Sequence, residues 1–233
     1  MKFTGRSYKI IAAALLVAVL YFACKKTEVT VNDANIKMIN ASPDAPGLDL
    51  HINSKLVAQN VQYADSTAYD STSPGTYATQ VTETGQTNAL FNFIATLSPS
   101  RFYTVFSVGQ YPSLKLSIIE DKFFVDTTVA KVRFFNFVPN GDTVDVLIRT
   151  ADDTLQTFLS RRFNDQDSTA SLQLFTSMAA DTCNLLIRRS RDSATLYTTG
   201  DILFPLGTFH TFYLEGLKNG TGKDTLSLKY IRQ

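Results

Sequence analysis

The sequence predicts an all-β protein built as two tandem antiparallel β-sandwich domains, and three observations carry that expectation. Apolar and polar residues alternate with a period of two. Leu48, Leu50 and Ile52 interleave with Asp49, His51 and Asn53, and Val144, Val146 and Ile148 interleave with Asp145, Leu147 and Arg149. Such alternation marks a half-buried strand. No long window carries an apolar stripe at helical spacing. Finally, the chain repeats itself. Ile36-Lys-Met-Ile-Asn40-Ala-Ser-Pro43 is echoed by Val132-Arg-Phe-Phe-Asn136-Phe-Val-Pro139, and the strands Leu48-Asp49-Leu50 and Val144-Asp145-Val146 keep the same offset of 96.

A second echo fixes the far end of each copy. Phe102 to Gly109 is matched by Phe209 to Gly216 at an offset of 107, so the second copy holds about eleven extra residues in its middle. A last strand follows each, with Leu114, Leu116 and Ile118 on one face and Leu226, Leu228 and Tyr230 in its counterpart. The Pro74-Gly75 turn precedes another alternating run, Tyr77, Thr79 and Val81. About seven short strands per copy is an immunoglobulin-like count. The expected boundaries are residues 36–121 for the first domain and 131–233 for the second, with Lys122 to Ala130 as a short linker.

Composition agrees and removes some function classes. There are 17 Phe and 10 Tyr but no Trp, and hydrophobic content is 44%. β-Branched and aromatic residues suit a pleated, half-buried surface. Formal net charge is +1, and removing Lys2, Arg6 and Lys9 with a leader leaves 19 Lys and Arg against 21 Asp and Glu. No basic run is dense enough to follow a phosphate backbone, so nucleic acid is not an expected partner.

The leader is residues 1–23. Lys2, Arg6 and Lys9 precede an apolar run from Ile10 to Ala23. As a helix that run spans about 21 Å, short of the roughly 30 Å membrane interior. It reads as a signal-peptide core. Ala23-Cys24 stands at the cleavage point and resembles the lipobox of bacterial lipoproteins, although Tyr21 and Phe22 depart from the usual residues. The expectation is acylation of Cys24, which anchors the protein durably to a membrane. The competing reading is an ordinary secretory signal with an incidental cysteine. The other cysteine, Cys183, alternates with Leu185 and Ile187 and is expected in the core. Residues 24–35 are polar and read as a tether. Their Lys-then-acidic pattern loosely resembles the surface-export signal of Bacteroidetes lipoproteins, which implies an outer-membrane, outward-facing location.

Asn40-Ala-Ser-Pro-Asp-Ala-Pro46, the Leu48-Asp49-Leu50 strand, Pro74-Gly-Thr-Tyr77 and Tyr103-Thr-Val105 together resemble the domain-of-unknown-function 4397 family. Tandem copies in exported bacterial proteins are common in that family. The second copy departs, with Phe137-Val138 for Ala-Ser and Asn140-Gly141 for Asp-Ala. The resemblance implies fold and export, and lends no activity.

Candidate chemistry is sparse. Asp49 and Asp145 sit mid-strand, where Asp is disfavoured. The structural expectation is that each carboxylate closes the preceding proline turn by accepting backbone N–H bonds. The alternative is calcium held by Asp44 with Asp49 or by Asp142 with Asp145, but calcium wants six to eight oxygens and neither cluster is that dense. No metal or cofactor is expected. His51 and His210 occupy non-equivalent places, and no HExxH, G-x-S-x-G or phosphate-loop pattern exists. Catalytic residues are therefore expected to be none. Nine of 17 Asp precede Ser or Thr, where chance gives three or four for a chain about a fifth Ser and Thr. The pattern resembles a Bacteroidetes O-glycosylation signal, with Ser66, Ser71, Thr154, Ser168 and Thr225 as acceptors. Turn chemistry explains it equally well.

Three functions follow from the sequence: a cell-surface adhesion or scaffold module, a glycan-binding accessory lipoprotein of a nutrient-uptake system, and a hydrolase. The first rests on display, repetition and missing catalytic motifs, with an extracellular protein or glycan as partner. The second needs exposed Tyr or Phe planes, since there is no Trp. The third needs a histidine beside a nucleophile in a cleft.

Overall fold

The computed structural model describes residues 32–124, 126–151 and 153–233. Cys24 and the leader lie outside the described residues. The N-terminal half contains β1 (Ala34–Asn40), β2 (Leu48–Ile52), β3 (Lys55–Val61), β4 (Asp70–Thr72), β5 (Gly75–Glu83), β6 (Ala89–Leu97), β7 (Phe102–Gln110) and β8 (Ser113–Glu120). The C-terminal half contains β9 (Ala130–Asn136), β10 (Val144–Arg149), β11 (Thr154–Arg161), β12 (Thr176–Met178), β13 (Asp181–Arg189), β14 (Thr195–Thr198), β15 (Ile202–Phe204), β16 (Phe209–Glu215) and β17 (Ser227–Arg232).

The two halves have matching topology. Sheet order β4-β1-β7-β8 corresponds to β12-β9-β16-β17, and β3-β2-β5-β6 corresponds to β11-β10-β13-β14, with β15 added beside β13. Inward residues of each sheet pair build one core per half. Ile36, Met38, Leu48, Leu50, Val81 and Val105 meet in the first; Val132, Phe134, Val146, Leu185, Ile187 and Phe212 meet in the second. Each such side chain contributes about 1.5–3 kcal/mol by leaving water.

Three features differ from the sequence reading. The expected strand count of seven per half is exceeded, because three- and four-residue strands such as β4, β12, β14 and β15 are too short to show a period. The expected all-antiparallel pairing is broken by β1 with β7 and β9 with β16, both parallel. The segment from 122 to 130 is also not a free spacer. Phe123 packs edge-on against Phe102 and Phe209, and Asp126 accepts hydrogen bonds from the Thr128 backbone N–H and hydroxyl.

The halves dock through the outer faces of their β1 and β9 sheets. Ile39, Ala41, Phe106, Val108 and Ile119 meet Phe135, Phe137 and Tyr213 in a third buried cluster. Stacking outer sheet, inner sheet, inner sheet and outer sheet makes four layers. The repeat offsets make this junction nearly self-matching: Ile39 corresponds to Phe135, Ala41 to Phe137 and Phe106 to Tyr213. Inner strands are therefore buried on both faces, and β16 is buried at every position. Strands so placed read as continuous apolar runs rather than alternating ones.

One ion pair at the junction is closely held. Asp121 bonds the Arg133 guanidinium and accepts from the Tyr69 and Thr104 hydroxyls at 2.7 and 2.6 Å. Lys37, the counterpart of Arg133, lies over the Tyr69 ring at 4.5 Å, while Arg133 lies over Phe175 at 4.2 Å.

Candidate functional site

The repeated asparagines and aspartates organise one end of each half. Asn40 donates through Nδ2 to the Val61 carbonyl at 3.0 Å and accepts through Oδ1 from the Ser42 N–H at 3.1 Å. Asn136 does the same with Arg161 and Val138, at 3.2 and 3.1 Å. Each buried amide thus closes its own turn and clips the neighbouring edge strand. The role expected of Asp49 and Asp145 belongs to these asparagines.

Asp49 and Asp145 instead hold a bulge. Asp49 accepts the Asn60 N–H at 2.7 Å and the Thr84 hydroxyl at 2.8 Å. Asp145 accepts the Ser160 N–H at 2.9 Å and the Ser190 hydroxyl at 2.7 Å. Asn60 and Ser160 have φ of 51° and 54°, where pairing register slips in β3 and β11. The extra bulged residue has no ladder partner, so its N–H needs another acceptor. Burial alone raises the Asp145 pKa, but the Ser160 N–H, the Ser190 hydroxyl and Arg188 together hold it below the usual value. Asp44 and Asp49 are engaged by different groups rather than converging on one site. The Asp44 carboxylate accepts from Gln110 at 3.3 Å and faces Asp224. Among the described residues no three His, Cys, Asp or Glu are placed to hold a metal ion.

Truncating either asparagine leaves a buried carbonyl and N–H without partners. Asn40→Ala and Asn136→Ala are each expected to cost about 1–3 kcal/mol in urea denaturation. A loss no larger than at an exposed control such as Asn92 would show that the turn closes without the amide.

At this end of the molecule the halves diverge. In the N-terminal half the core is stoppered by Tyr111, whose hydroxyl donates to Glu83 at 2.5 Å. In the C-terminal half, Arg189 pairs with Val144 as Glu83 pairs with Leu48. Lys218 follows Gly216 as Tyr111 follows Gly109, and both glycines have positive φ, 94° and 91°. A Cβ at Gly216 would lie 2.6 Å from the Thr225 carbonyl oxygen, so only glycine admits the longer loop that carries Lys218. Without the phenol, a cavity of about 160 Å³ remains, floored by Val138, Val144, Leu196, Leu214 and Leu226 and rimmed by Asp142, Arg189 and Lys218. Lys218 Nζ lies 2.9 Å from Asp142, and Arg189 Nε lies 3.4 Å from it. The Lys218 hydrogen bond comes first among the influences that hold the Asp142 pKa low. Arg189 Nε is buried and makes no hydrogen bond.

The remaining sequence candidates are scattered. His210 is buried between Thr208, at 2.6 Å from Nε2, and Tyr230, at 2.8 Å from Nδ1. Burial, with some help from Arg232, lowers its pKa to about 4. An enclosed ring with both nitrogens engaged and its pKa lowered is poorly placed for proton transfer to substrate. His51 lies in the other half, 3.5 Å from the Thr82 hydroxyl. Cys183 is fully buried in the second core, and that burial raises its pKa. Ser66, Ser71, Thr154, Ser168 and Thr225 are all exposed, with the Thr225 hydroxyl held by the Gly222 carbonyl at 2.9 Å. Tyr230, 40% exposed, is stacked on Phe212 and His210, and the other described tyrosines are buried or half-buried. They present no shared open plane. No described helix is long and apolar enough to cross a membrane.

A family model described as a domain of unknown function (DUF4397) matches residues 34–147. The match runs from β1 through the start of β10 and supports that domain family there. No curated protein matches the chain. Among solved structures, similarity is found to the crystal structure of CBMbc (family CBM26) from Eubacterium rectale Amy13K in complex with maltoheptaose. Sequence identity is 9% and the TM-score 0.24, with 84% of this chain and 96% of that chain covered. A TM-score that low does not establish a shared fold.

Proposed function

We propose that the chain is a non-catalytic adhesion or scaffold module, made of two tandem immunoglobulin-like domains and displayed outside the cell from a lipid on Cys24. Residues 1–23 are the signal peptide, 24–35 the tether, and 36–121 and 131–233 the two domains. The observation that carries this reading is the junction. Two sandwiches fused through Phe106, Phe135, Phe137 and Tyr213 present their end loops as one stiff body. A stiff double module suits a role in holding a partner, an extracellular protein or glycan, at a fixed distance and angle from the outer membrane.

Intact-mass analysis of the native protein tests it. The expected mature N-terminus is Cys24, carrying an acyl increment that Cys24→Ala removes along with membrane retention and protease accessibility on whole cells. An unlipidated terminus elsewhere would defeat the reading. The same spectrum reports on Ser66, Ser71, Thr154, Ser168 and Thr225: mass beyond the lipid means glycan, and the lipid alone leaves turn chemistry as the explanation of the Asp-Ser and Asp-Thr pairs.

A further inference from the structure

We propose that the cavity at the end of the C-terminal half binds a small apolar carboxylate, with its hydrocarbon against Val138, Leu196 and Leu226 and its carboxylate on Arg189 and Lys218. This goes beyond the scaffold reading and does not depend on it.

Size and lining set the hydrocarbon part. A dry cavity of about 150 Å³ accepts a benzene ring, and this one is about 160 Å³ with a floor of Val and Leu side chains. The guest is therefore on the order of six carbons, branched or cyclic to fill a rounded space.

The rim sets the charge. Asp142 is ionised and bracketed by Lys218 and Arg189. Arg189 also pairs through Nη1 with Asp192 at 3.0 Å, and Arg191 lies 3.6 Å from that carboxylate, so three cations against two acids leave one positive charge uncompensated beside the mouth. Arg189 Nε is buried and makes no hydrogen bond, its 3.4 Å approach to Asp142 being an ion pair only, and an unmade hydrogen bond of a buried charged group is costly. A carboxylate entering beside Asp142 supplies that acceptor, and a guanidinium suits carboxylate geometry. The N-terminal half shows the closed alternative at the same register. There the strand end carries an acid, Glu83, and a phenol, Tyr111, fills the space and donates to it. Where the stopper is missing, the acid is replaced by a base. Charge and volume change together, as expected if the C-terminal half receives an acid from outside.

The test is isothermal titration of the full chain with 4-methylpentanoate and, separately, with 4-methylpentanamide. The acid is expected to bind saturably at one site, at least about tenfold more tightly than the amide. Arg189→Gln should weaken the acid about tenfold and leave the amide unchanged. The double variant Arg189→Glu with Lys218→Tyr rebuilds the N-terminal stopper and should abolish binding of both. Because that variant alters an ion pair, Leu196→Phe serves as a second, filling the floor without touching charge, with the same loss expected. Equal affinity for acid and amide, acid binding that survives both cavity-filling variants in folded protein, or no saturable binding at all would each overturn the proposal. Lipidation at Cys24 is read by mass and stays independent of all three outcomes.

Discussion

Asp121→Ala is expected to lower the unfolding free energy by about 3–5 kcal/mol, the largest single-residue effect this fold should show. Asp121 is 3% exposed and bonds Arg133, itself 1% exposed. It also lies near Lys37, the counterpart of Arg133 in the other half. Removing the carboxylate strands two buried cations and leaves the Tyr69 and Thr104 hydroxyls without their acceptor. The two cations respond differently. Burial already lowers the Lys37 pKa, with Asp121 opposing and Arg133 reinforcing that fall, so loss of Asp121 lowers it further and eases loss of that proton. A guanidinium cannot shed its proton. The damage therefore concentrates at Arg133, and adding Arg133→Met to Asp121→Ala should restore all but about 1–2 kcal/mol, as replacement of whole buried ion pairs by apolar residues does elsewhere. Guanidinium denaturation of the four proteins checks this as a cycle. If Asp121→Ala costs less than about 1 kcal/mol, or Arg133→Met makes it worse, the ion pair is not what secures the junction.

That junction shows where the sequence was readable. Strands β2 and β10 have one face in a core and the other, with Asp49, His51, Asp145 and Arg149, outside it, so their period of two is visible at Leu48, Leu50 and Ile52. Strands β1, β7, β9 and β16 are covered on both faces, and their alternation vanishes into runs such as Phe134-Phe135 and Phe102 to Val108. Those runs were the available signal for docking between the halves. They could not reveal the partner surface, because an apolar run buried in a sheet stack and one buried in a single thick core look alike. The repeated Asn, Pro and Asp were visible by spacing, but the division of labour between Asn40 and Asp49 was not. Asp49 serves a bulge in β3, and a bulge leaves no mark in a stretch as polar as Lys55 to Val61. The cavity was least visible. It exists because Tyr111 in one half is replaced by Lys218 in the other, across loops of unequal length whose register only the paired strands settle.

The pH dependence of stability should expose the one place where the junction breaks its own symmetry. Val108 faces the junction from β7, and its counterpart on β16 is Glu215, fully buried. Its Oε1 meets Lys229 at 3.4 Å and the Ser227 hydroxyl at 3.4 Å, while Oε2 has no hydrogen bond. Tyr63, with Asp44 and Asp224 in range of its own hydroxyl, stands on the other side. Burial raises the Glu215 pKa to about 7, against the pull of Lys229. Asp224 is raised as well, by burial first and by Asp44 second. A carboxyl whose folded pKa is raised stabilises while protonated, and that stability is lost as pH rises from the unfolded value of 4.5 through 7. The shift corresponds to roughly 3 kcal/mol. His210, five positions earlier on the same strand, acts in the opposite sense. With its pKa lowered to about 4, it removes a comparable amount as pH falls from 6.5 toward 4. The two slopes overlap and cancel, so the native protein should be nearly flat between pH 5 and 6.5 and weaken from there to about pH 8. Glu215→Gln keeps the shape and removes one slope. Its stability should climb with pH up to about 6.5 and then hold level, as read from urea midpoints at half-unit intervals. A variant that still weakens between pH 6.5 and 8 as the parent does would mean that Glu215 is not the group whose ionisation loosens the docked halves.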